Sequence, residues 1–323
     1  MNYFLCKRIQ KSVVYVRKNN KLGVSKIENK YIREGFVPFG RYQTYYRVVG
    51  KKTKNPPLIL LHGGPGSTHN YFEMLDDIAE MSQRQLIMYD QLGCGYSSIP
   101  DDERNCYKAG TWLDELENLI TFLGLKEFHL LGQSWGGMLA IMYLCDRDAS
   151  AAKSVVLSST LSSAKLWAKE LHRLIKYLPT DEQEAIKKAE ETQNFKNPAY
   201  LKANAHFMKL YASDDPKESH EEVLRRPKKS GTESYTTAWG PNEYTPQGNL
   251  SDYEYTAKLS KIEIPALIMS GINDLSTPLV AKTMADALPN SEWHLFANSR
   301  HMPFVEENKK YMKILTEWLK NND

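Results

Sequence analysis

Residues 128–143, FHLLGQSWGGMLAIMY, set a serine in the turn between an apolar strand-like run and a stretch suited to a helix. Few architectures accept such a joint. The serine must occupy a sharp, strained bend, and small residues around it must let strand and helix approach closely. Gly132 and Gly136 provide that lack of bulk, and Gly137 lets the next element pack. Ser134 therefore reads as a nucleophile, its hydroxyl raised above a sheet with backbone N–H groups facing a reacting carbonyl.

The surrounding sequence supplies the sheet. YQTYYRVV, with PFG before it, predicts paired edge strands over 35–49. PPLILLHGG predicts a buried strand ending near Leu61, THNYFEMLDDIAEMS a helix, QLIMYD a strand and TWLDELENLITFLGL a second helix. AKSVVLSST returns as a strand after Ser134. These apolar runs suit a mostly parallel sheet covered on both faces. The beat changes between about Leu161 and Leu250, where helical segments follow one another without strands. TDEQ from Thr180 has capping-box spacing, Asn197-Pro198 opens another helix, and 213–230 reads as a bend or exposed connection. IPALIMSG, LVAKTMADAL, SEWHLFA and VEENKKYMKILTEWLK then resume the core pattern. The expected organisation is an N-terminal extension over 1–30, core over 31–160, a helical cap over 161–250 and core again over 251–323.

Composition mainly excludes. The formal charge of +3 is dispersed, without the basic tract of a nucleic-acid groove. No apolar segment is long enough to span a bilayer. Cysteines 6, 94, 106 and 145 show neither CxxC pairing nor disulfide density, and the first residues lack a signal-peptide core, so a cytoplasmic location is expected. No HExxH occurs, and DQLGCGYS (90–97) lacks the P-loop and dinucleotide patterns, so no metal or organic cofactor is expected. That loop reads as structural, with Asp90 fixing backbone groups. Oligomeric state is not readable.

A serine hydroxyl needs a base and an orienting acid. Asp274 in GINDLSTP and His301 in ANSRHMPFVE each follow a predicted strand, and Ser134, Asp274 and His301 keep the chain order of a nucleophile-elbow hydrolase. Asp252 is the substitute acid. HGGPG (62–66) ends the first central strand, so the backbone N–H groups of Gly64 and Trp135 are the expected oxyanion hole, with His62 bracing the turn.

HGGPG, DQLGCGYS, GQSWGG (132–137) and GPNEY (240–244) together resemble the proline iminopeptidase family of α/β-hydrolases, over roughly residues 30–320. The resemblance implies an eight-stranded, mostly parallel α/β-hydrolase core with an inserted helical cap. It also implies a serine exopeptidase that releases N-terminal proline or a small apolar residue from short peptides. By the same resemblance Ser134, Asp274 and His301 form the triad, Gly64 and Trp135 the oxyanion hole, and Glu243 binds the substrate's free amino group. Family members commonly carry a second amine-binding glutamate directly after the catalytic aspartate, where this chain has Leu275. That departure leaves amine recognition to Glu243 and another acid such as Glu233, or shifts the substrate towards amino-acid amides and esters, as in a capped amidase or carboxylesterase. Phe207, Tyr235 and Trp239 are candidate pocket residues.

Overall fold

The computed structural model describes residues 31–100 and 104–323, so the expected extension over 1–30 lies outside the described residues. Strands β1 (Ile32–Phe39) and β2 (Tyr42–Val49) form the antiparallel edge foreseen from their aromatic and β-branched content. They lead into β3 (Leu58–Leu61) and β4 (Leu86–Tyr89). The rest of the sheet comprises β5 (Phe128–Gln133), β6 (Ala152–Ser158), β7 (Ala266–Gly271) and β8 (Ser291–Phe296). The eight strands run in the order β1-β2-β4-β3-β5-β6-β7-β8, and every pairing from β4 to β8 is parallel.

Period-two alternation divides the side chains of this sheet between two cores. Ile59, Leu61, Leu130, Val155 and Ile268 enter one core, while Leu58, Leu60, Leu131, Val156 and Leu267 enter the other. All ten are at most 1% exposed, which explains why the strands read as continuous apolar runs. Burial of each such side chain contributes about 1.5–3 kcal/mol.

The segment after β3 departs from expectation. Instead of one regular helix it forms a 3₁₀ turn, His69–Leu75, and a short helix α1 (Ile78–Met81). Tertiary bonds interrupt it: His69 N–H donates to Asp90 (2.8 Å), and Asp76 receives two 2.8 Å bonds from Arg47 of β2. Arg47 is only 4% exposed, and its next carboxylate, Glu73, is 3.7 Å away. Asp76→Ala is therefore expected to cost about 3–5 kcal/mol, by leaving a buried guanidinium short of its partner. Urea unfolding should show this as a lower midpoint at unchanged slope; a loss under about 1 kcal/mol would mean the pair is solvated.

Helix α2 (Ala109–Leu123) ends where Gly124 takes φ +65, and α3 (Trp135–Asp146) follows the β5 turn. Between β6 and β7 lie α4 (Ala164–Ile175), α5 (Thr180–Thr192), α6 (Pro198–Tyr211), α7 (Glu222–Arg225) and α8 (Thr232–Ala238). No strand of the sheet interrupts them among the described residues. Asn197 caps α6 by accepting from Ala199 N–H (2.9 Å). The capping box expected from Thr180 does not form: Pro179 occupies the cap and Thr180 is already helical, because Pro179 already holds the extended backbone of a cap (φ −51, ψ 147). Helices α9 (Pro278–Ala287), α10 (Pro303–Glu306) and α11 (Asn308–Asn321) complete the core.

Candidate active site

The turn from β5 into α3 holds Ser134 at φ 54 and ψ −122, a conformation side chains rarely adopt. Several bonds impose it. Ser134 N–H donates to Ser158 O (3.0 Å), while Ser134 O accepts from Thr160 Oγ1 (2.6 Å) and Gly137 N–H (2.9 Å). A Cβ on Gly136 would strike the Leu61 carbonyl, and one on Gly132 the Gly136 backbone, so strand and helix meet only because both are glycine.

Asp274 and His301 converge from the loops after β7 and β8. His301 Nδ1 lies 2.6 Å from Asp274 Oδ1, and the aspartate is 1% exposed. Asp274 also accepts from Gly271 N–H (3.1 Å) and Ser276 N–H (2.8 Å), which fix the carboxylate. Asp274, not Asp252, thus pairs with the histidine. Gln133, beside Ser134, donates to the His301 carbonyl at 3.4 Å, joining the elbow to the histidine loop. Burial alone would lower the His301 pKa. The Asp274 carboxylate and its hydrogen bond, with Glu243 and Glu306, outweigh burial and raise it above the usual imidazole value.

The HGGPG turn packs beside the elbow, with Gly64 at φ +115. Its brace is His62: Gln91 N–H donates to Nε2 (3.0 Å), so Nδ1 carries the proton and donates to Gly63 O (2.9 Å). Burial pushes the His62 pKa down to about 4, keeping the ring neutral. Trp135 is the first residue of α3, where no preceding turn offers its N–H a carbonyl. Its indole is fixed apart from that N–H, donating to Gln91 Oε1 at 2.7 Å. Asp90 fixes its loop as expected, accepting from His69 N–H and from Tyr96 N–H (2.9 Å).

Glu243 lies in the helical insertion, and Trp167 links it to His301, its ring meeting the imidazole edge-on at 6.1 Å; the imidazole pKa is raised by the charge of Glu243. Its Oε1 accepts from Tyr235 OH (2.8 Å), and its carbonyl from the indoles of Trp167 (2.9 Å) and Trp239 (3.3 Å). Burial raises the Glu243 pKa, and His301 and the Tyr235 hydroxyl only partly offset it.

Known proteins share this plan. A family model described as "alpha/beta hydrolase fold" matches residues 56–308. The chain is 61% identical to the proline iminopeptidase of Lactobacillus delbrueckii subsp. lactis, over 90% of this chain and 99% of that protein. The chain belongs to the proline iminopeptidase family of α/β-hydrolases. The proline iminopeptidase of Lactobacillus helveticus is 60% identical over the same 90% of the chain. Among solved structures, VinJ superposes with a TM-score of 0.82 at 31% identity, covering 90% of this chain and 99% of that one. Proline iminopeptidase from Mycobacterium smegmatis superposes at 0.78 and 28%, covering 90% and 98%.

Within this proline iminopeptidase family member, Leu275 is 1% exposed and belongs to the core. Glu233 pairs with Arg104 (2.9 Å) at the surface rather than joining Glu243. Phe207 is fully buried against Tyr211 and Tyr244, a packing position. Tyr235 and Trp239 instead hold Glu243. Three residues that sequence reasoning missed support the site: Tyr71, whose hydroxyl accepts from Gly63 N–H (2.6 Å), Gln91, and Trp167, whose ring meets that of His301 edge-on at 6.1 Å. Gln91 lies within DQLGCGYS, whose loop reads as structural, while Tyr71 and Trp167 sit in no motif that marks them.

Proposed function

We propose that this chain is a serine exopeptidase of the cytoplasm, releasing proline or a small apolar residue from the free N-terminus of short peptides. The observation that carries the reading is Glu243, a carboxylate with no ion-pair partner among the described residues, joined to the His301 side of the site through Trp167, whose indole donates to the Glu243 carbonyl and whose ring meets that of His301. An incoming ammonium would supply the missing charge. Residues 161–250 act as the cap that limits access to short substrates.

Ser134 Oγ attacks the carbonyl carbon while its proton passes to His301. Gly64 and Trp135 N–H groups stabilise the oxyanion. The departing amine takes the proton from His301, leaving an acyl-enzyme. Water then attacks that ester, His301 accepts its proton and returns it to Ser134, and the free amino acid leaves. Asp274 orients the imidazole and stabilises its charged form.

The deciding experiment compares kcat/KM for an unblocked prolyl arylamide and its N-acylated counterpart. The unblocked compound should be preferred, and Glu243→Gln should lower its kcat/KM about 10–100-fold, with little effect on the blocked one. No free-amine preference in the wild type would favour a capped amidase or carboxylesterase, the second reading supported by Leu275 in place of an acid. A preference that survives Glu243→Gln would discard Glu243 as anchor.

The same variant carries a pH signature. His301 must be neutral to accept the serine proton, and its raised pKa places the acidic limb of kcat/KM above the ordinary imidazole range. Glu243 contributes to that rise, so Glu243→Gln should move the limb to lower pH; a limb that moves upward or stays would separate the two groups.

A further inference from the structure

We propose that Lys228 forms a subsite for the free α-carboxylate of a short peptide, on the leaving-group side of Ser134; this rests on the exopeptidase reading above. The chain between α7 and α8 crosses directly over the glycine turns of the site. Gly231 N–H donates to Gly66 O (2.7 Å), and Gly95 N–H donates to Lys229 O (2.8 Å). Within this basic stretch Arg226 is neutralised by Glu73 (2.8 Å) and Glu222 (2.7 Å). Lys228 makes no ion pair among the described residues; its ammonium lies over the Tyr71 ring, 5.8 Å from the centroid.

Tyr71 ties that cation to the reacting centre. Its hydroxyl accepts from Gly63 N–H and donates to Gln133 Oε1 (2.9 Å), the residue before Ser134. The ring packs at 5.4 Å against Phe304 of α10, the helix that follows His301. Lys228 is exposed, so an anion can reach it; desolvation by the surrounding protein and the like charge of Arg226 lower its pKa, a direction that a bound anion would oppose. A dipeptide supplies such an anion roughly 3.5 Å, one extended residue, beyond the scissile carbonyl. Glu243 and Lys228 would then read opposite ends of one zwitterion, and a longer peptide or an amide would lose the second contact.

The test measures kcat/KM for prolyl-alanine and prolyl-alanine amide, which share the acyl half, so a general disturbance of the enzyme cancels in their ratio. The wild type should prefer the free acid roughly five- to tenfold. Lys228→Met should bring the ratio close to one, and Lys228→Arg should retain it. Equal turnover of both compounds by the wild type, or a preference unchanged in Lys228→Met, would overturn the subsite alone. Absence of turnover with either compound would overturn the exopeptidase reading and the subsite with it.

Discussion

Ser134→Ala is expected to lower kcat by on the order of 10⁶, with the fold intact, because the hydroxyl is the proposed nucleophile and residual rate would come only from the oxyanion donors and binding. Loss of the backbone conformation is not expected. The bonds that hold position 134 at φ 54 run through its own N–H and carbonyl to Ser158, Thr160 and Gly137, and alanine keeps both groups. The readouts are arylamide turnover, the mass increase after treatment with a serine-directed phosphonate, and the thermal midpoint. Turnover above about one tenth of wild type in a folded, unlabelled variant would remove Ser134 from the mechanism.

Asp274→Asn is expected to lower kcat about 10⁴-fold. In the native site both carboxylate oxygens accept: Oδ1 from Ser276 N–H beside the His301 ring nitrogen, Oδ2 from Gly271 N–H. An amide cannot satisfy that set. With its oxygen towards His301, its NH₂ opposes the Gly271 N–H; rotated, the NH₂ faces the imidazole and selects the wrong tautomer. Either orientation also removes the charge that raises the His301 pKa, so the acidic limb should shift to lower pH. A fall in kcat without that shift would assign Asp274 a purely structural part.

The proposed catalytic residues were legible because each is announced locally. Ser134 lies inside a glycine box between a strand and a helix, and Asp274 and His301 sit just beyond apolar strands. The supporting residues are not announced. Tyr71 reaches Gln133 across 62 positions, Trp135 reaches Gln91 across 44, and Trp167 reaches Glu243 across 76. In the sequence each is an aromatic or amide side chain among many. The same limit explains the broken segment after β3: its apolar spacing reads as a helix, but long-range bonds to Asp90 and Arg47 outweigh propensity.

The sequence by itself determined the alternation of strands and helices, the mostly parallel sheet, the strand-free insertion after β6, and the glycine-built elbow. These follow from the period of apolar residues and from steric limits on backbone turns, both local properties of the chain. Only the tertiary structure decided how the insertion meets the core. It set Glu233 on Arg104, joined Glu243 to His301 through Trp167, closed Leu275 into the core, and laid Lys228 over Tyr71. The physical reason is that a charged side chain's role depends on which partner and how little water surround it, and residues far apart in the chain supply both.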